Sequence, residues 1–401
     1  MVAASASASP ITRAAAGTFS VIDFGARGDG ATDDARAIQA ALDAAARAGG
    51  GTVLLPAGTY QIGTLLYYPS NITIQGAGSA VTTIRNTTTR GGNQLMLVPA
   101  FAGSGYVGMA NVTIADLTFN QRADAYGEQN DQYVLSVDGT TNSLVTRCVF
   151  TNVQTLAIWS GSRGTVTTDH TVDSCHVTDS NGGGFSYFGA NSGFTISNNI
   201  VEWTKDDAIA VQDYAATGHF PHDILIRSNT IRNCTKQNFL GSTANGINCF
   251  GGHRIRILDN SISTVFASGI AVLHGTTRPA TYITVEGNRI DAAGAPAVAG
   301  VPGHGIHLWG AQVVDVIGNI VTNSHYAGIF IETGPSGTDS VRIDQCTASG
   351  NPYGIGFNGW DITTIVVTNN VLTNNAGGAT DGSRPSSGSF RSNNGLQDWP
   401  L

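Results

Sequence analysis

The chain has 401 residues, of which 41% are hydrophobic and 12% are charged, and no stretch is long and apolar enough to span a bilayer. This composition predicts a soluble globular protein with a large core. The formal net charge is −8 and Lys and Arg form no run, which argues against nucleic acid or a membrane surface as partner. The five cysteines fall in no metal-ligand spacing, so we predict no metal site from them.

Residues 1–18 are rich in Ala and Ser and contain A-x-A triplets of the kind that border a signal-peptidase site, without the charged and apolar parts of a signal. We interpret them as the remainder of a trimmed export signal, which predicts a secreted protein. A disordered alanine-rich leader of a cytoplasmic protein is the alternative.

A helix is predicted over residues 32–49, in "TDDARAIQAALDAAARAGGG". Thr32 and the following aspartates supply a cap and a negative first turn. Ile38, Leu42 and Ala45 share one face, and the glycines end the helix. From there almost to the end, the sequence consists of short β-branched strands separated by turns.

These strands repeat with two aligned columns of residues. Segments such as "VTRCVF", "ISNNIV" and "VTNNVL" align on one column, which contains Cys148, Cys175, Asn199, Asn229, Asn260, Asn288, Asn319, Cys346 and Asn370. A second column runs through "GFSYFG", "AIAVQD", "GINCFG", "GIAVLH", "GIHLWG", "GIFIET" and "GIGFNG". The spacing is too irregular for a tandem duplication but suits one structural coil with loops of varied length.

Such a coil predicts an all-β, single-domain, right-handed parallel β-helix of about ten coils, with the N-terminal helix capping the first coil. Coils would stack at about 4.8 Å, and each buried Asn would pair with the Asn of the next coil. A sandwich or barrel with Asn in its turns would not explain two registered columns. We assign the β-helix to residues 19–375 and a Gly- and Ser-rich tail to residues 376–401.

Residues 19–60, "FSVIDFGARGDGATDDARAIQAALDAAARAGGGTVLLPAGTY", resemble the opening segment of the pectate-lyase-like superfamily of right-handed parallel β-helices. That superfamily includes polygalacturonases, dextranases, alginate epimerases and phage tailspikes. The resemblance implies the architecture and a carbohydrate ligand. It does not specify a reaction, because the group contains hydrolases, lyases and epimerases.

Alternation along the second column predicts an outward-facing surface. With Ile209 and Val211 directed inward, Ala208, Ala210 and Gln212 face outward. The same register exposes amides, aromatics, an imidazole and an acid, which suit a sugar-binding groove. These residues are Ser186, Phe188, Asn248, Phe250, Leu273, His307, Trp309, Phe330 and Glu332.

Asp206 and Asp207, in "VEWTKDDAIAVQDY", stand at the bend that leads into this column. Two adjacent carboxylates do not both ionise without cost, so one of them can retain a proton at neutral pH and divide acid and base roles with the other. An ordinary Asp-rich turn is the structural alternative. We predict that the pair is catalytic.

"DDAIAV" resembles the Asp-Asp motif of polygalacturonases, in which the aspartates protonate the leaving oxygen or activate water. The resemblance therefore implies these roles for Asp206 and Asp207. The other motifs of that family are missing: Gly183 replaces a further Asp, Asn245 replaces a His, and Ala271 and Leu273 replace an Arg and a Lys. A Gly-His-Gly does occur at His304, but two coils late, roughly 10 Å from its expected place.

Because the outward column contains no base, a neutral glycan is the expected substrate. We predict no cofactor, a polysaccharide or oligosaccharide partner, and a glycoside hydrolase or transglycosidase. The loop at residues 213–223 shapes one end of the groove or lies in solvent. The predicted substrate-binding residues are Lys205, Gln212, Asn245, Asn248, His304, His307, Trp309 and Glu332.

Two other functions remain open. A polysaccharide lyase or uronate epimerase would use Lys205 as base, with Ca²⁺ held by oxygens of Asp206, Asp207 and Asp213. A non-catalytic glycan-binding or tailspike-like protein is the further alternative. Cys148 and Cys175 occupy the same column in adjacent coils, and either a disulfide or two stacked thiols fits that placement.

Overall fold

The chain winds as a parallel β-helix in which each coil adds one strand to each of three sheets. The computed structural model describes residues 17–87, 96–102, 105–106, 108–126, 132–161, 166–213, 219–234, 244–294 and 303–381. Within these ranges the three sheets contain fourteen, thirteen and twelve strands, and neighbouring strands pair in parallel. The predicted architecture is confirmed, with somewhat more coils than expected.

We name the sheets by their order within one coil. The strands of the first sheet are Thr18–Ser20, Gly51–Leu55, Ile72–Gly76, Met109–Ala115, Thr140–Thr146, Thr167–Asp173, Asn191–Ser192, Thr195–Ser197, His222–Arg227, His253–Leu258, Thr281–Glu286, Gln312–Ile317, Thr338–Asp344 and Ile362–Thr368. The strands of the second sheet are Asp29–Asp33, Gly58–Ile62, Thr82–Asn86, Thr118–Asn120, Val149–Val153, His176–Ser180, Ile200–Glu202, Thr230–Cys234, Ser261–Val265, Arg289–Ala293, Ile320–Thr322, Thr347–Ser349 and Val371–Thr373.

The third sheet carries the predicted groove. Its strands are Leu66–Tyr68, Leu97–Pro99, Tyr133–Ser136, Leu156–Gly161, Gly183–Phe188, Ile209–Gln212, Ile247–Phe250, Ile270–Leu273, Ile306–Trp309, Ala327–Glu332, Tyr353–Asn358 and Gly378–Thr380. The remaining elements are a 3-10 helix, two α-helices and an antiparallel pair of short strands: Val21–Phe24, Ala35–Arg47, Ala123–Tyr126, Phe101–Ala102 and Gly105–Tyr106. Neither α-helix of the described chain has the length needed to cross a bilayer.

The first α-helix, Ala35–Arg47, lies within the predicted range and buries Ile38, Leu42 and Ala45 on the face that was expected. The predicted cap is confirmed in part. Thr32 does not cap the helix, because its backbone N–H and hydroxyl donate to the carboxylate of Asp29 within the strand Asp29–Asp33. The following Asp33 accepts the backbone N–H of Ala35 at 3.0 Å, but the first turn of the helix contains no acidic residue, so the predicted negative first turn was wrong.

A ladder of buried asparagines ties the coils together, as predicted. The side-chain amide of Asn199 donates to Asn229 at 2.9 Å, and the same contact links Asn229 to Asn260. It continues from Asn260 to Asn288 and on to Asn319, at 2.9 and 3.0 Å. Each carbonyl oxygen also accepts the backbone N–H of the preceding Asn, so the ladder fixes the stacking register.

The cysteines of the same column are free thiols. Cys148 and Cys175 are both buried, and their sulfurs donate to backbone carbonyl oxygens of the previous coil, Ile114 and Val145, at 3.6 Å each. Of the two possibilities left open by the sequence, the structure contains two stacked thiols. Burial is the largest effect that raises the pKa of the Cys175 thiol, so it is chemically unreactive here.

Along the third sheet the predicted alternation is confirmed with one exception, but several outward positions are covered by neighbouring side chains and not exposed as predicted: Ser186, Ala210, Asn248 and Phe330. Ile209 and Val211 lie in the core, and Ala210 and Gln212 lie on the outer face beside Asn248 and Phe250 of the next coil. Ala208 is completely buried and belongs to the core. The strand begins at Ile209, and the bend before it breaks the alternation of side chains.

Parts of three predicted segments lie outside the described residues: residues 1–16 of the leader, 214–218 of the loop beside the groove, and 382–401 of the tail. Within the predicted tail, Gly378–Thr380 forms a strand that pairs with Tyr353–Asn358. The third sheet therefore continues a few residues beyond position 375.

The ladder predicts a measurable loss of stability in Asn260→Leu. The substitution removes the buried acceptor of two Asn229 donors and leaves the carbonyl of Ile226 without its amide donor. Each such buried group costs about 1–3 kcal/mol when its partner is lost. Urea unfolding should therefore show a free energy of unfolding lower by at least that amount.

The matched control is Asn358→Leu, at an exposed asparagine on the outer face of the third sheet. Surface substitutions of this kind change stability by about 0.5 kcal/mol or less. Equal losses in the two variants would mean that the ladder contributes nothing specific to stability.

Candidate functional site

Asp206 and Asp207 lie in a turn that is held to the preceding coil by its backbone. The N–H groups of Lys205 and Asp206 both donate to the carbonyl oxygen of Gly182, at 3.0 and 3.2 Å. The Thr204 hydroxyl donates to the carbonyl of Asp206, and the Asp207 N–H donates to the Asp206 carboxylate at 2.9 Å. The two carboxylates are therefore fixed on a rigid loop at the edge of the third sheet.

The Asp207 side chain is buried, with 6% of its surface exposed, and both of its oxygens are hydrogen-bonded to the next coil. Oδ1 accepts from the backbone N–H and the side-chain amide of Asn245, at 2.9 and 2.8 Å. Oδ2 accepts from the side-chain amide of Asn248 at 2.7 Å. One lone pair of Oδ2 is left for a proton or a ligand.

Burial, followed by the negative charge of Asp206, raises the pKa of Asp207 to about 7. The amide donors of Asn248 and Asn245 act in the opposite direction, because they stabilise the ionised carboxylate. The net result is a carboxyl group that gains or loses a proton near neutral pH. Such a pKa suits a general acid or base.

The side-chain amide of Asn248 can form a hydrogen bond with the Asp207 carboxyl whether that carboxyl is ionised or protonated. It is 8% exposed, and its Oδ1 is buried without a hydrogen-bond partner among the described residues. While no substrate oxygen is bound, rotating the amide by half a turn places Oδ1 opposite Oδ2 of Asp207, where it can accept the proton of the neutral carboxyl. The unrotated amide donates to Oδ2 and leaves that proton for a substrate oxygen. The unpartnered Oδ1 of Asn248 thus gains a hydrogen-bond partner when Asp207 is protonated.

Asn245 and Asn248 were predicted to bind substrate directly, and the structure gives them a different task. Asn245 is buried, and its side-chain oxygen accepts the backbone N–H of Ser268 at 3.0 Å. Its amide, like that of Asn248, donates to Asp207. Both are positioning residues, because the coil that follows Asp207 places them directly beside it.

The acid that polygalacturonases carry one coil before the pair has no room in this chain. A Cβ atom at Gly183 would lie 2.7 Å from the carbonyl oxygen of Asp207 and 3.1 Å from a methyl group of Leu156. The first of these contacts is closer than real Cβ atoms approach backbone. The missing third carboxylate is therefore a consequence of tight packing between coils at this position.

A second cluster contains His307, Trp309 and Glu332. His307 Nε2 lies 3.2 Å from Glu332 Oε2, and the amide of Asn358 donates to the other carboxylate oxygen at 2.9 Å. The hydrogen bond from His307 is the largest effect that lowers the pKa of Glu332. Trp309 packs edge-on against His274, with ring centroids 6.2 Å apart.

His304, a predicted substrate-binding residue, is fully buried and has no hydrogen-bond partner on either ring nitrogen within the described ranges. Its ring stacks on Phe330, with centroids 4.2 Å apart and planes 2° from parallel. Burial lowers its pKa well below the usual range, so the ring is neutral. The ring has no surface to offer a sugar in this structure, because Phe330 and its neighbours cover it completely.

The two clusters are separated along the β-helix. Asn248 pairs with Ala271, which pairs with His307 two coils further on, about 10 Å away at the stacking distance. Gln212 lies on the outer row beside Phe188 and Phe250, half-exposed, and Lys205 is half-exposed beside the Asp pair. The structure therefore places Lys205 near the pair, Gln212 at the far end of the strand, about 16 Å from Asp207, and His307, Trp309 and Glu332 in a separate cluster.

The carboxylate oxygens of Asp206, Asp207 and Asp213, which were considered as Ca²⁺ ligands for a lyase, do not lie around one point. Asp213 lies six residues after Asp207 at the other end of the strand, about 20 Å away in an extended chain. Its buried carboxylate accepts the backbone N–H groups of Thr276 and Thr277, at 2.9 and 3.2 Å. In the part of the chain that the structure describes, no three His, Cys, Asp or Glu side chains form a metal-binding group.

Sequence reasoning missed one exposed aromatic residue at this site, Trp203. Its side chain is 52% exposed and it precedes the Asp pair by only a few residues. The signal available in the sequence was an aromatic residue in a turn where the neighbouring coils have Asn and Asp. The sequence also contained a signal for the roles of Asn245 and Asn248, because the aligned coils place both residues one coil after Asp207.

The environment of Asp207 predicts opposite pKa changes in two variants. Asp206→Asn removes the neighbouring charge and should lower the pKa of Asp207, whereas Asn248→Leu removes a donor to the carboxylate and should raise it. Carbon-13 NMR titration of labelled aspartate carboxyls measures both. Asp259→Asn, at an exposed position, serves as control and should leave the titration near pH 7 unchanged. Shifts in the same direction in both variants would contradict this assignment.

The raised pKa also predicts a pH dependence of stability. The folded pKa of about 7 exceeds the ordinary aspartate value of 3.8, so the folded chain holds this proton more tightly between these pH values. The contribution is fully present below about pH 4 and is lost as pH rises through 7, with a slope of roughly 1.4 kcal/mol per pH unit at most. We therefore expect the difference in free energy of unfolding between wild type and Asp207→Asn to shift against the wild type as pH rises from about 5 to 8. A difference that does not depend on pH would contradict the raised pKa.

Comparison with known proteins agrees with this architecture. Residues 18–249 match the family model "Rhamnogalacturonase A/epimerase, pectate lyase-like", and residues 166–338 and 238–394 match "Right handed beta helix region". Mannuronan C5-epimerase AlgE3 of Azotobacter vinelandii is 31% identical over 240 residues, which are 52% of this chain and 13% of that protein. The chain thus spans about an eighth of the length of this curated relative.

Two solved structures share the fold at low sequence identity. The A-module of mannuronan C-5 epimerase AlgE4 of Azotobacter vinelandii superposes with a TM-score of 0.64 and 20% identity, covering 93% of this chain and 99% of that one. The catalytic unit of a GH87 α-1,3-glucanase from Streptomyces thermodiastaticus gives 0.68 and 21%, covering 98% of this chain and 73% of the other. From the family match over more than half of its length, we conclude that the chain belongs to the pectate-lyase-like family of rhamnogalacturonase A and epimerases, and that it is a right-handed parallel β-helix.

Proposed function

We propose that this protein is a carbohydrate-active enzyme that cleaves or transfers glycosidic bonds of a neutral glycan, with Asp206 and Asp207 as its acid and base. The observation that carries the proposal is the Asp207 carboxyl, buried and held by two amides, with a pKa raised to about 7. A proton held at this pH is available for the leaving oxygen of a glycoside.

In this mechanism Asp207 is the general acid. The amides of Asn245 and Asn248 occupy one lone pair on each oxygen and fix the orientation of the carboxyl, while Oδ2 presents its proton to the glycosidic oxygen. When the bond breaks, the proton leaves with the departing sugar and Asp207 becomes a carboxylate. The three amide hydrogen bonds then stabilise the new negative charge.

Asp206 is the partner group. Its side chain is half-exposed, and its charge is one cause of the raised pKa of Asp207. A carboxylate in this position activates a water molecule, or an acceptor hydroxyl in a transfer reaction, for attack on the sugar carbon. The adjacent positions in the chain keep the two groups at a constant separation.

A neutral substrate is supported by the outer face of the third sheet. None of its twelve described strands contains Lys or Arg, the side chains that hold uronate carboxylates. Aromatic and amide side chains line it instead, including Phe188, Gln212 and Phe250. Apolar sugar faces and hydroxyl groups suit such a surface. Secretion, which the leader predicts, would place the enzyme where polysaccharides are found.

A uronate epimerase or lyase is the second candidate, and the match to a mannuronan C5-epimerase favours it. In that reaction Lys205, beside the Asp pair, would remove the proton next to a uronate carboxyl. The proposed hydrolase and this candidate differ in product. A hydrolase releases new reducing ends without ultraviolet absorbance, a lyase releases new reducing ends together with an unsaturated sugar that absorbs ultraviolet light, and an epimerase releases neither.

The experiment is a panel of α-1,3-glucan, dextran, polygalacturonate and alginate, with products followed by reducing-end assay, ultraviolet absorbance and proton NMR. We expect reducing ends from a neutral polymer. Asp207→Asn and Asp206→Asn should each lower kcat by about 100-fold or more, which is the usual contribution of a general acid or base. Asp259→Asn is the control with an exposed carboxylate.

Full activity of Asp207→Asn would remove the pair from the mechanism. Inversion at C5 of alginate without cleavage would establish the epimerase instead. Binding without any product would identify a glycan-binding protein.

A further inference from the structure

The turn that carries the Asp pair also presents an indole ring to solvent. Trp203 is 52% exposed and has a left-handed backbone, with φ of 59°. The same left-handed position in neighbouring coils is occupied by Asn152, Asp179 and Asn233. The fold therefore requires only the backbone conformation here, and small polar residues provide it. A large apolar ring in water at this position needs another explanation.

A cavity of about 260 Å³ opens beside this ring. It lies between the second and third sheets, on the flank of the turn that holds Asp206 and Asp207. Its lining includes Asn152, Asp179, Asn181, Trp203, Lys205 and Asn233. Amides and two carboxylates, those of Asp124 and Asp179, thus line the same cavity as an aromatic ring.

This combination fits a pyranose ring. The C–H face of a sugar packs on an aromatic face, and its hydroxyl groups pair with amide and carboxylate groups at the rim. The volume lies close to the lower end of the roughly 300–1,000 Å³ range of ligand pockets, which is the scale of one sugar residue and not of a long chain.

The charges favour a neutral sugar. Lys205 lines the cavity together with two carboxylates, Asp124 and Asp179, and Arg122 lies 3.6 Å from Asp124. Two positive and two negative groups balance, so a uronate carboxylate placed there would meet no excess of positive charge to hold it. Hydroxyl groups need no such charge.

The cavity is also connected to the proposed catalytic groups. Thr204 pairs with Ser180 of the previous coil, and its hydroxyl donates to the carbonyl of Asp206. Asp206 follows Trp203 by three residues, which limits their Cα separation to about 10 Å. A sugar on Trp203 would therefore lie one or two residues along the glycan from the bond next to the Asp pair.

We propose that Trp203 and its surrounding cavity form a binding subsite for one neutral pyranose residue beside the Asp pair. This inference rests on the proposed function, because it assigns the substrate class of that same site. Trp203 supplies the stacking face, and Asp179 with Asn181 and Asn233 supplies hydroxyl partners. The subsite fixes the position of the glycan relative to Asp207.

The test is calorimetric binding in an Asp207→Asn background, where turnover cannot interfere. The probes are nigerotetraose, maltotetraose, cellotetraose and a mannuronate tetrasaccharide. We expect Trp203→Ala to raise the Kd for the neutral tetrasaccharide that binds best by roughly tenfold, the effect of losing about 1.4 kcal/mol. Trp203→Phe should restore most of the affinity, because it keeps an aromatic face.

The matched control is Trp360→Ala, at a tryptophan that is 89% exposed and lies in a turn five coils further along. Its Kd should equal that of the background protein. Equal Kd values for Trp203→Ala and the background would overturn the subsite, as would absence of binding by every probe. A loss confined to the mannuronate tetrasaccharide would overturn the assignment to a neutral sugar.

These outcomes are distinguishable from failure of the proposed function. Wild-type protein that binds a neutral tetrasaccharide through Trp203 but forms no product would retain the subsite and refute the hydrolase. If the wild type cleaves a glycan and Trp203→Ala binds the tetrasaccharide as tightly as the background protein does, the hydrolase is retained and the subsite is refuted.

Discussion

The parallel register between neighbouring coils is the constraint on which the rest of this structure depends. In the strands, backbone N–H groups of one coil pair with the coil beside it, so residues at equivalent positions lie about 4.8 Å apart whatever the length of the loops between them. The ladder from Asn199 to Asn319 secures this register from inside, because a slip of one residue would leave buried amides without partners. The carboxylate of Asp207 and the amide of Asn248, 41 positions apart in the chain, meet for the same reason.

The same close stacking controls the chemistry of the Asp pair. It leaves no room for a side chain at Gly183, and it removes Asp207 from water while supplying amide donors from the next coil. Burial and a neighbouring charge raise the pKa, and the donors limit how far it rises. Two carboxylates of identical type thereby acquire different environments, which is the condition for dividing the roles of acid and base.

The polar side chains on the surface lie in separate groups along the axis of the β-helix. The Asp pair and the Trp203 cavity share one turn, whereas His307 and Glu332 lie further along and pair with each other. A glycan that follows the third sheet would meet these groups in sequence, with sugar residues and coils both repeating at intervals of a few ångströms. The stacking of coils therefore spaces these groups of polar side chains along one axis of the β-helix.

The sequence by itself determined the architecture and much of the register. One Asn or Cys per coil and the inward aliphatics of each strand recur in columns, and only stacked coils satisfy both patterns; the family resemblance over residues 19–60 pointed to the same fold. It also identified Asp206 and Asp207 as neighbours of Asn245. The tertiary structure alone decided that Ala208 turns inward and that His304 is buried against Phe330. It also decided that Asn245 and Asn248 donate to Asp207 and that Trp203 borders a cavity. The physical reason is that strand periodicity specifies which face a residue occupies, whereas burial and hydrogen-bond partners at a bend depend on turn geometry and on the side chains of the coils above and below.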